Sequence, residues 1–291
     1  WIEKKTGIPV LGIMPWLNEI FPAEDSLDLL ERRRNKVDTD IEIAVIKLPY
    51  FSNYSDIDPI EAEPSVKLTW IKPGDDLKKP DGVIIPGSKQ TIKDLEKLHS
   101  SGLSKQLVDY GLDGGIILGI CGGMQMLGRL LKDPENLEDS KKDNNGKEIN
   151  GLNLMPFNTI FKNKKYLSQR NLTSNWPEVT KLKGFELHHG ETKLSNILPS
   201  EFKPLTNDSN LGWVLENKVT SGSITGTYLH GILDNGEWRR LWINQIRKKK
   251  GFSPLSIKES DYQEKRENLI NLLTDEFEKN IDIARFIEVT K

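Results

Sequence analysis

Short apolar runs alternate with amphipathic stretches along the first half of this chain. The apolar, largely β-branched runs predict four strands, at residues 41–48, 66–70, 82–85 and 115–119. Helical spacing over residues 91–99 and 103–110 predicts two helices between the last two strands. Apolar strands that alternate with helices are typical of a parallel sheet. The pattern therefore predicts an α/β fold, with a mostly parallel sheet and helices on both faces.

The remaining segments give weaker patterns. Residues 132–148 are polar and rich in turn residues, which predicts a surface loop. Further elements are predicted as short strands at 157–161, 185–188, 212–216 and 224–228, a helix at 237–249 and a charged, largely helical tail at 261–287. Near the start, a strand is predicted at 8–16 and a capped helical segment at 25–31, followed by a basic run at 32–35.

Composition narrows the class of protein. Hydrophobic residues make up 36% of the 291 residues and charged residues 29%, which is enough apolar material for a sizeable core. The formal net charge of -2 gives no electrostatic reason to expect a nucleic-acid partner. No apolar run approaches the roughly 20 residues of a membrane span, so no membrane partner is expected either. One cysteine rules out an internal disulfide. We therefore expect a cytoplasmic protein with small-molecule substrates.

The single cysteine lies in the segment that most clearly predicts chemistry. An apolar strand leads directly into Gly119-Ile-Cys-Gly-Gly123, and a helical pattern follows. This is the strand–turn–helix context of a nucleophile elbow, with cysteine in place of serine. Small neighbours permit the sharp turn, and the amino-terminal N–H groups of the helix favour the thiolate of Cys121. An isolated cysteine is usually a small buried hydrophobe, but the flanking glycines favour a nucleophile.

A cysteine nucleophile needs a base and an oxyanion site. His230 ends a short predicted strand before a glycine turn, which suits a firmly held base. His189, in the pair after Leu187, is the weaker candidate, and His99 is expected to face solvent. Gly122 directly follows the predicted nucleophile, so its backbone N–H is expected to be one oxyanion donor. Gly87, where a buried strand breaks in a Pro-Gly turn, predicts the loop that supplies the other.

Four motifs in order carry a family resemblance. They are Ile85-Pro-Gly-Ser88, Gly119-Ile-Cys-Gly-Gly-Met-Gln-Met-Leu-Gly128, Phe185-Glu-Leu-His-His-Gly190 and Gly226-Thr-Tyr-Leu-His-Gly-Ile-Leu-Asp-Asn235. Together they resemble the class I glutamine amidotransferase domain of the cobyric acid synthase type, over residues 41–249. The resemblance implies hydrolysis of glutamine to glutamate and ammonia, with Cys121 as nucleophile and His230 as base and acid. It also implies oxyanion donors at Gly87 and Gly122. Substrate-binding roles are expected for Ser88, Gln125 and His189, and no metal site is expected.

The family also implies a destination for the ammonia. A preceding domain uses ATP and magnesium to amidate the b, d, e and g carboxylates of adenosylcobyrinic acid a,c-diamide, a corrin substrate. The sequence contains no G-x-x-x-x-G-K-[ST] motif, so ATP and magnesium are expected outside this portion, which itself needs no cofactor. We expect residues 1–36 to be the end of that domain and a linker, 37–250 the amidotransferase domain and 251–291 a helical extension.

Two points stay open at this stage. Many class I glutaminases carry an acid two residues after the histidine, where this chain has Ile232. A Cys–His dyad is therefore expected, and Asp234, Glu186 and Glu191 are treated as turn or surface carboxylates. The alternative functions are the glutaminase domain of cobyrinic acid a,c-diamide synthase, a non-catalytic glutaminase-like module, and a cysteine or esterase-type hydrolase.

Overall fold

The computed structural model describes residues 1–15, 39–138 and 146–289, which belong to two compact units. One unit comprises residues 33–259, and the other combines residues 1–32 with residues 260–291. The predicted helical segment at 25–31, the basic run at 32–35 and the expected domain boundary at 36–37 lie outside the described residues, as does part of the predicted loop, at 139–145.

The larger unit is built on a sheet of seven strands. In spatial order these are β2 (Val66–Ile71), β1 (Ile41–Ile46), β3 (Gly82–Ile85), β4 (Ile116–Ile120), β11 (Gly222–Thr227), β10 (Gly212–Asn217) and β9 (Phe202–Pro204). The first five strands run parallel to one another. Strand β10 pairs antiparallel with β11, and β9 pairs antiparallel with β10. All residues of β3, β4 and β11 are buried, as expected for central strands of a parallel sheet that is covered on both faces. The predicted parallel sheet is confirmed.

A second sheet of five strands was not predicted. Its spatial order is β12 (Leu229–His230), β8 (Lys181–Leu194), β7 (Phe157–Thr173), β5 (Leu130–Asp133) and β6 (Lys147–Asn150). The long strands β7 and β8 form an antiparallel hairpin with an irregularity between Ile160 and Lys165. The sequence predicted only short pieces of these strands. The predicted loop at 132–148 is partly wrong, because β5 and β6 pair at its two ends.

Helices connect and flank these strands. In the larger unit they are α2 (Asp58–Glu61), α3 (Thr91–Ser100), α4 (Leu103–Leu112), α5 (Gly122–Leu127) and α6 (Gly236–Lys250), with 3₁₀ turns at Tyr54–Asp56 and Ile232–Asp234. Trp238, Trp242 and Ile246 form the buried side of α6 at helical spacing. The helices predicted at 91–99, 103–110 and 237–249 are therefore confirmed.

The smaller unit is helical in its described residues. It contains α1 (Ile2–Thr6), α7 (Tyr262–Asn280) and α8 (Ile283–Val289). The two ends of the chain meet where Gly12 bridges Ile281 and where the N–H of Asp282 donates to the carbonyl of Leu11 at 2.7 Å. The predicted helical tail is confirmed. The predicted strand at 8–16 is reduced, in its described part, to the single bridge at Gly12.

Candidate active site

Cys121 lies at the turn between β4 and α5, at the carboxyl end of the parallel sheet. Its φ of 52° and ψ of -109° lie outside the regions that a side-chain-bearing residue normally adopts. Two backbone bonds hold the turn, because the N–H of Cys121 donates to Thr227 (2.7 Å) and its carbonyl accepts from Gln125 (3.0 Å). The side chain is 8% exposed, so the sulfur is held in a nearly closed site.

Glycines at the elbow permit this geometry by removing side chains where backbones meet. A Cβ on Gly123 would overlap the carbonyl oxygen of Ile85, and a Cβ on Gly119 would lie 2.8 Å from the carbonyl oxygen of Gly123. Both clashes are with backbone, which cannot move aside as a flexible side chain can. The glycine pattern that predicted an elbow therefore has a direct packing cause.

His230 is buried beside the cysteine and is gripped by a carboxylate. Its Nδ1 donates to Oδ2 of Asp56 at 2.7 Å, since an ionised carboxylate can only accept. The other oxygen of Asp56 accepts from the N–H of Gly231 at 2.8 Å, and Nδ2 of Asn53 lies 3.2 Å from Nδ1. With Nδ1 engaged by Asp56, the remaining ring nitrogen is left to interact with Cys121, whose charge acts on the imidazole. Cys121, His230 and Asp56 therefore form one line of interacting side chains.

The electrostatics of this line favour a charged imidazole. Burial alone would lower the pKa of His230, but the hydrogen bonds to Asp56 and Cys121 and their charges outweigh it. They raise the pKa to about 10. Phe185 stacks on the ring with centroids 5.0 Å apart and fixes its plane. At neutral pH the line can hold an imidazolium, which is the partner that stabilises a cysteine thiolate.

Two of the acids considered from the sequence, Glu186 and Glu191, contact residues other than His230. Glu186 is buried and not a surface carboxylate as expected, because it accepts from Arg170 Nε (2.8 Å) and contacts His188 Nε2 (2.9 Å). Glu191 forms a partly exposed ion pair with Lys162. The acid that contacts His230 is Asp56, which the sequence analysis missed.

A signal for Asp56 was nevertheless present in the sequence. It ends the polar run Ser52-Asn-Tyr-Ser-Asp56, which follows the apolar run of β1 by a few residues. Polar residues beyond the carboxyl ends of parallel strands are where α/β folds place their ligands. The position of this polar run after β1 therefore marks Asp56 as a candidate site residue.

The loop after β3 lies close to the turn at Cys121. A Cβ on Gly122 would lie 2.9 Å from the backbone nitrogen of Ser88, and one on Gly87 would lie 3.4 Å from Cε1 of His230. The Ser88 hydroxyl donates to Asp94 at 2.5 Å, and Asp94 also accepts from the N–H of Tyr50 at 3.1 Å. The structure therefore brings Gly87, Ser88 and Gly122 together near Cys121 and His230, with the Ser88 side chain held by protein contacts.

Strand β8 forms the opposite wall of the site. The thiol of Cys121 donates to the carbonyl of Leu187 at 3.3 Å. Gln125 is 2% exposed, and its Nε2 donates to the carbonyl of His189 (2.9 Å) and to the hydroxyl of Tyr228 (3.3 Å). The side chain of His189 is exposed, so its nearest link to the site is through its backbone. Gln125 thus ties helix α5 to strand β8.

Metal-ligand clusters and membrane-spanning helices are two further features to consider in the described part of the chain. Within residues 1–15, 39–138 and 146–289, no group of three or more histidine, cysteine, aspartate and glutamate side chains could hold a metal ion. None of the helices in the described part of the chain is both long enough and apolar enough to cross a membrane.

The comparisons with known proteins define the class to which this architecture belongs. Residues 42–238 match the model of the CobB/CobQ-like glutamine amidotransferase domain, so the chain belongs to that family. Its relatives include cobyric acid synthases of two strains of Prochlorococcus marinus. One is 54% identical over 99% of this chain and 57% of its own length, and the other 56% identical over 99% and 58%. The chain thus spans little more than half the length of these relatives.

Two further similarities were found. The cobyric acid synthase of Parasynechococcus marenigrum is 52% identical over 99% of this chain and 56% of its own length. Among solved structures, a glutamine amidotransferase of Thermotoga maritima is 15% identical, with a TM-score of 0.45 over 82% of this chain and 97% of that one.

Proposed function

We propose that this chain hydrolyses glutamine to glutamate and ammonia, with Cys121 as nucleophile and His230 as base and acid. The observation that carries the proposal is the line of interacting side chains from Cys121 through His230 to Asp56, with Cys121 held at a strained turn. Asp56 extends the expected Cys–His dyad to a triad, because its carboxylate holds the ring orientation and stabilises the imidazolium.

The proposed hydrolysis of glutamine has two steps, formation of a thioester and its hydrolysis. The thiolate of Cys121 attacks the side-chain carbonyl carbon of glutamine, and the carbonyl electrons move onto oxygen. The imidazolium of His230 gives its proton to the departing nitrogen, so ammonia leaves and a thioester remains. Water then attacks the thioester while His230 takes its proton, and glutamate leaves with the thiolate restored. The raised pKa of His230 suits the first proton transfer.

The surrounding groups receive matching roles. The N–H groups of Gly122 and of the loop at Gly87 are the proposed oxyanion donors, supported by the close approach of that loop to the elbow. Ser88, Gln125 and His189 are proposed to position glutamine. For Gln125 the support is indirect, since its amide holds the backbone of β8 against the site.

The destination of the ammonia is proposed from the relatives. The cobyric acid synthases that match this chain favour amidation of the b, d, e and g carboxylates of adenosylcobyrinic acid a,c-diamide, over the alternative of a cobyrinic acid a,c-diamide synthase. ATP and magnesium are proposed to bind outside this portion, as the sequence contains no G-x-x-x-x-G-K-[ST] motif. Residues 1–36 are proposed to end that synthetase domain. A cytoplasmic location would keep the Cys121 thiol reduced.

Substitution of the nucleophile tests the glutaminase proposal. We expect Cys121→Ala to abolish ammonia release from glutamine, because no other thiol exists in the chain. The measurement is ammonia release at saturating glutamine, with circular dichroism to show that the variant is folded. Glu191→Gln is the matched control and should retain wild-type activity, since Glu191 pairs with Lys162 in a partly exposed ion pair. Ammonia release by folded Cys121→Ala would contradict the proposal.

A further inference from the structure

The segments that supply Asp56 and His230 are joined a second time, by a buried ion pair away from the reacting atoms. Arg239, near the start of α6, is 1% exposed, and Glu63, just after α2, is 2% exposed. The Nε of Arg239 donates to Oε1 of Glu63 at 2.7 Å. The chain between Asp56 and Glu63 is short, and so is the chain between His230 and Arg239. The ion pair therefore connects the same two segments as the Asp56–His230 bond.

The guanidinium also holds the turn that follows the histidine. Nη1 of Arg239 donates to the carbonyls of Leu233 at 2.6 Å and Asp234 at 3.3 Å, which lie in the 3₁₀ turn after Gly231. One rigid, planar group thus contacts the carboxylate of one segment and the backbone of the other. A lysine could not make this set of contacts, because its ammonium lacks the fixed fork of donors.

A neighbouring arginine completes the charge balance around Glu63. Arg240 Nη2 lies 2.9 Å from Oε2 of Glu63 and 2.9 Å from Oε2 of Glu259. Both oxygens of the buried Glu63 therefore lie within ion-pair distance of an arginine, and Oε1 also accepts a hydrogen bond from Arg239. A buried charge that loses its partner is strongly disfavoured, so moving the two segments apart would leave Glu63 or Arg239 buried without its partner.

We propose that Glu63 and Arg239 are positioning residues for the catalytic pair, which set the placement of Asp56 against His230. Neither side chain contacts Cys121 or His230 in the described contacts, so the effect is transmitted through the segments that they join. The proposal rests on the proposed glutaminase function, but it concerns the state of the Cys121 thiol and can be measured without glutamine.

The test uses the double variant Glu63→Leu/Arg239→Met in the full 291-residue chain. Replacing both partners removes the charges together, which is often tolerated in stability, whereas a single replacement leaves a buried charge. The readout is the rate of Cys121 alkylation by iodoacetamide from pH 5 to pH 9, which reports on one site because the chain has one cysteine. We expect the rate at pH 6 to 7 to fall about 3- to 30-fold, the range typical of coupled residues without ligand contact. The kcat for glutamine should fall by a similar factor, with little change in KM.

Two further variants separate positioning from simple loss of stability. Arg247→Met removes another buried arginine from α6, one that contacts Asp40 and the carbonyl of Ser253 instead of the catalytic segments. It should leave the alkylation profile unchanged. Arg239→Lys, which keeps the charge but loses the fork, should change the profile in the same direction as the double variant.

Each outcome decides the inference. An unchanged alkylation profile in the folded double variant would overturn it, as would an equal change in Arg247→Met. If the double variant unfolds, the profile of Arg239→Lys decides in the same way. The alkylation rate at low pH could fall in the variants of Glu63 and Arg239 while the wild-type chain releases no ammonia from glutamine. That result would support the inference and contradict the glutaminase proposal.

Discussion

At the scale of single residues, the site depends on one strained backbone and one buried carboxylate. A non-glycine residue held at positive φ typically costs about 1–3 kcal/mol, and the surrounding packing must sustain that cost at Cys121. Both oxygens of Asp56 contact the segment that carries His230: one accepts from the imidazole ring and the other from the N–H of Gly231. The geometry of the histidine is therefore fixed by a residue far away in the sequence.

Removing the charge of Asp56 should affect both activity and pH dependence. We expect Asp56→Asn to lower kcat about 10²- to 10⁴-fold, the usual contribution of general acid–base catalysis. The folded pKa of His230, about 10, exceeds the unfolded value of about 6.5, so the folded state binds more protons between these values. The resulting stabilisation is fully present below pH 6.5 and is lost as pH rises to 10.

Urea unfolding at a series of pH values measures this effect. The contribution from His230 should make the wild-type free energy of unfolding decrease between pH 6.5 and pH 10, and Asp56→Asn should flatten that decrease. Glu191→Gln is the control and should follow the wild type, because Glu191 contacts Lys162 rather than the histidine. Equal pH dependence in wild type and Asp56→Asn would show that the carboxylate does not hold the imidazolium.

At the scale of secondary-structure elements, the turn at Cys121 depends on how closely α5 packs against β3. Gly123 is the contact point, because its Cα faces the carbonyl group of Ile85. We expect Gly123→Ala to lower the free energy of unfolding by about 1–3 kcal/mol, the usual cost of overpacking, even though alanine favours helix in general. The measurement is urea unfolding of the variant and the wild type.

A second glycine provides the comparison. Gly111 also lies in a helix, α4, but a Cβ there would meet the flexible side chain of Leu154 at 3.0 Å rather than backbone. Gly111→Ala should therefore be near neutral in stability. If Gly123→Ala were as stable as Gly111→Ala, close backbone packing would not explain the glycine at the elbow.

The same scale shows what the sequence could predict. The strands β1, β3 and β4 and the helices α3, α4 and α6 carry strong local patterns, so they were predicted within a few residues. The hairpin of β7 and β8 was largely missed, because its outer half is polar on both faces and gains its pairing from the partner strand. Asp56 was missed for a similar reason, since its contact with His230 spans 174 residues and no local pattern encodes it.

At the scale of the whole molecule, the structure separates a complete α/β unit from a smaller helical one. The candidate site lies entirely in residues 33–259, at the carboxyl end of the seven-stranded sheet and beneath strand β8 of the five-stranded sheet. Both sheets are needed, since the main sheet carries Cys121 and the second carries His230 on β12. The residues that match the amidotransferase family, 42–238, thus lie within one compact unit of this chain.

The most direct test of the account is covalent trapping with 6-diazo-5-oxo-L-norleucine, a glutamine analogue that alkylates the attacking nucleophile. The intact chain is incubated with the analogue, digested and analysed by mass spectrometry. The account predicts one adduct, on Cys121, formed more slowly with excess glutamine and much more slowly in Asp56→Asn. Folded wild-type protein that forms no adduct on Cys121, or forms one at a rate that glutamine does not change, would contradict it.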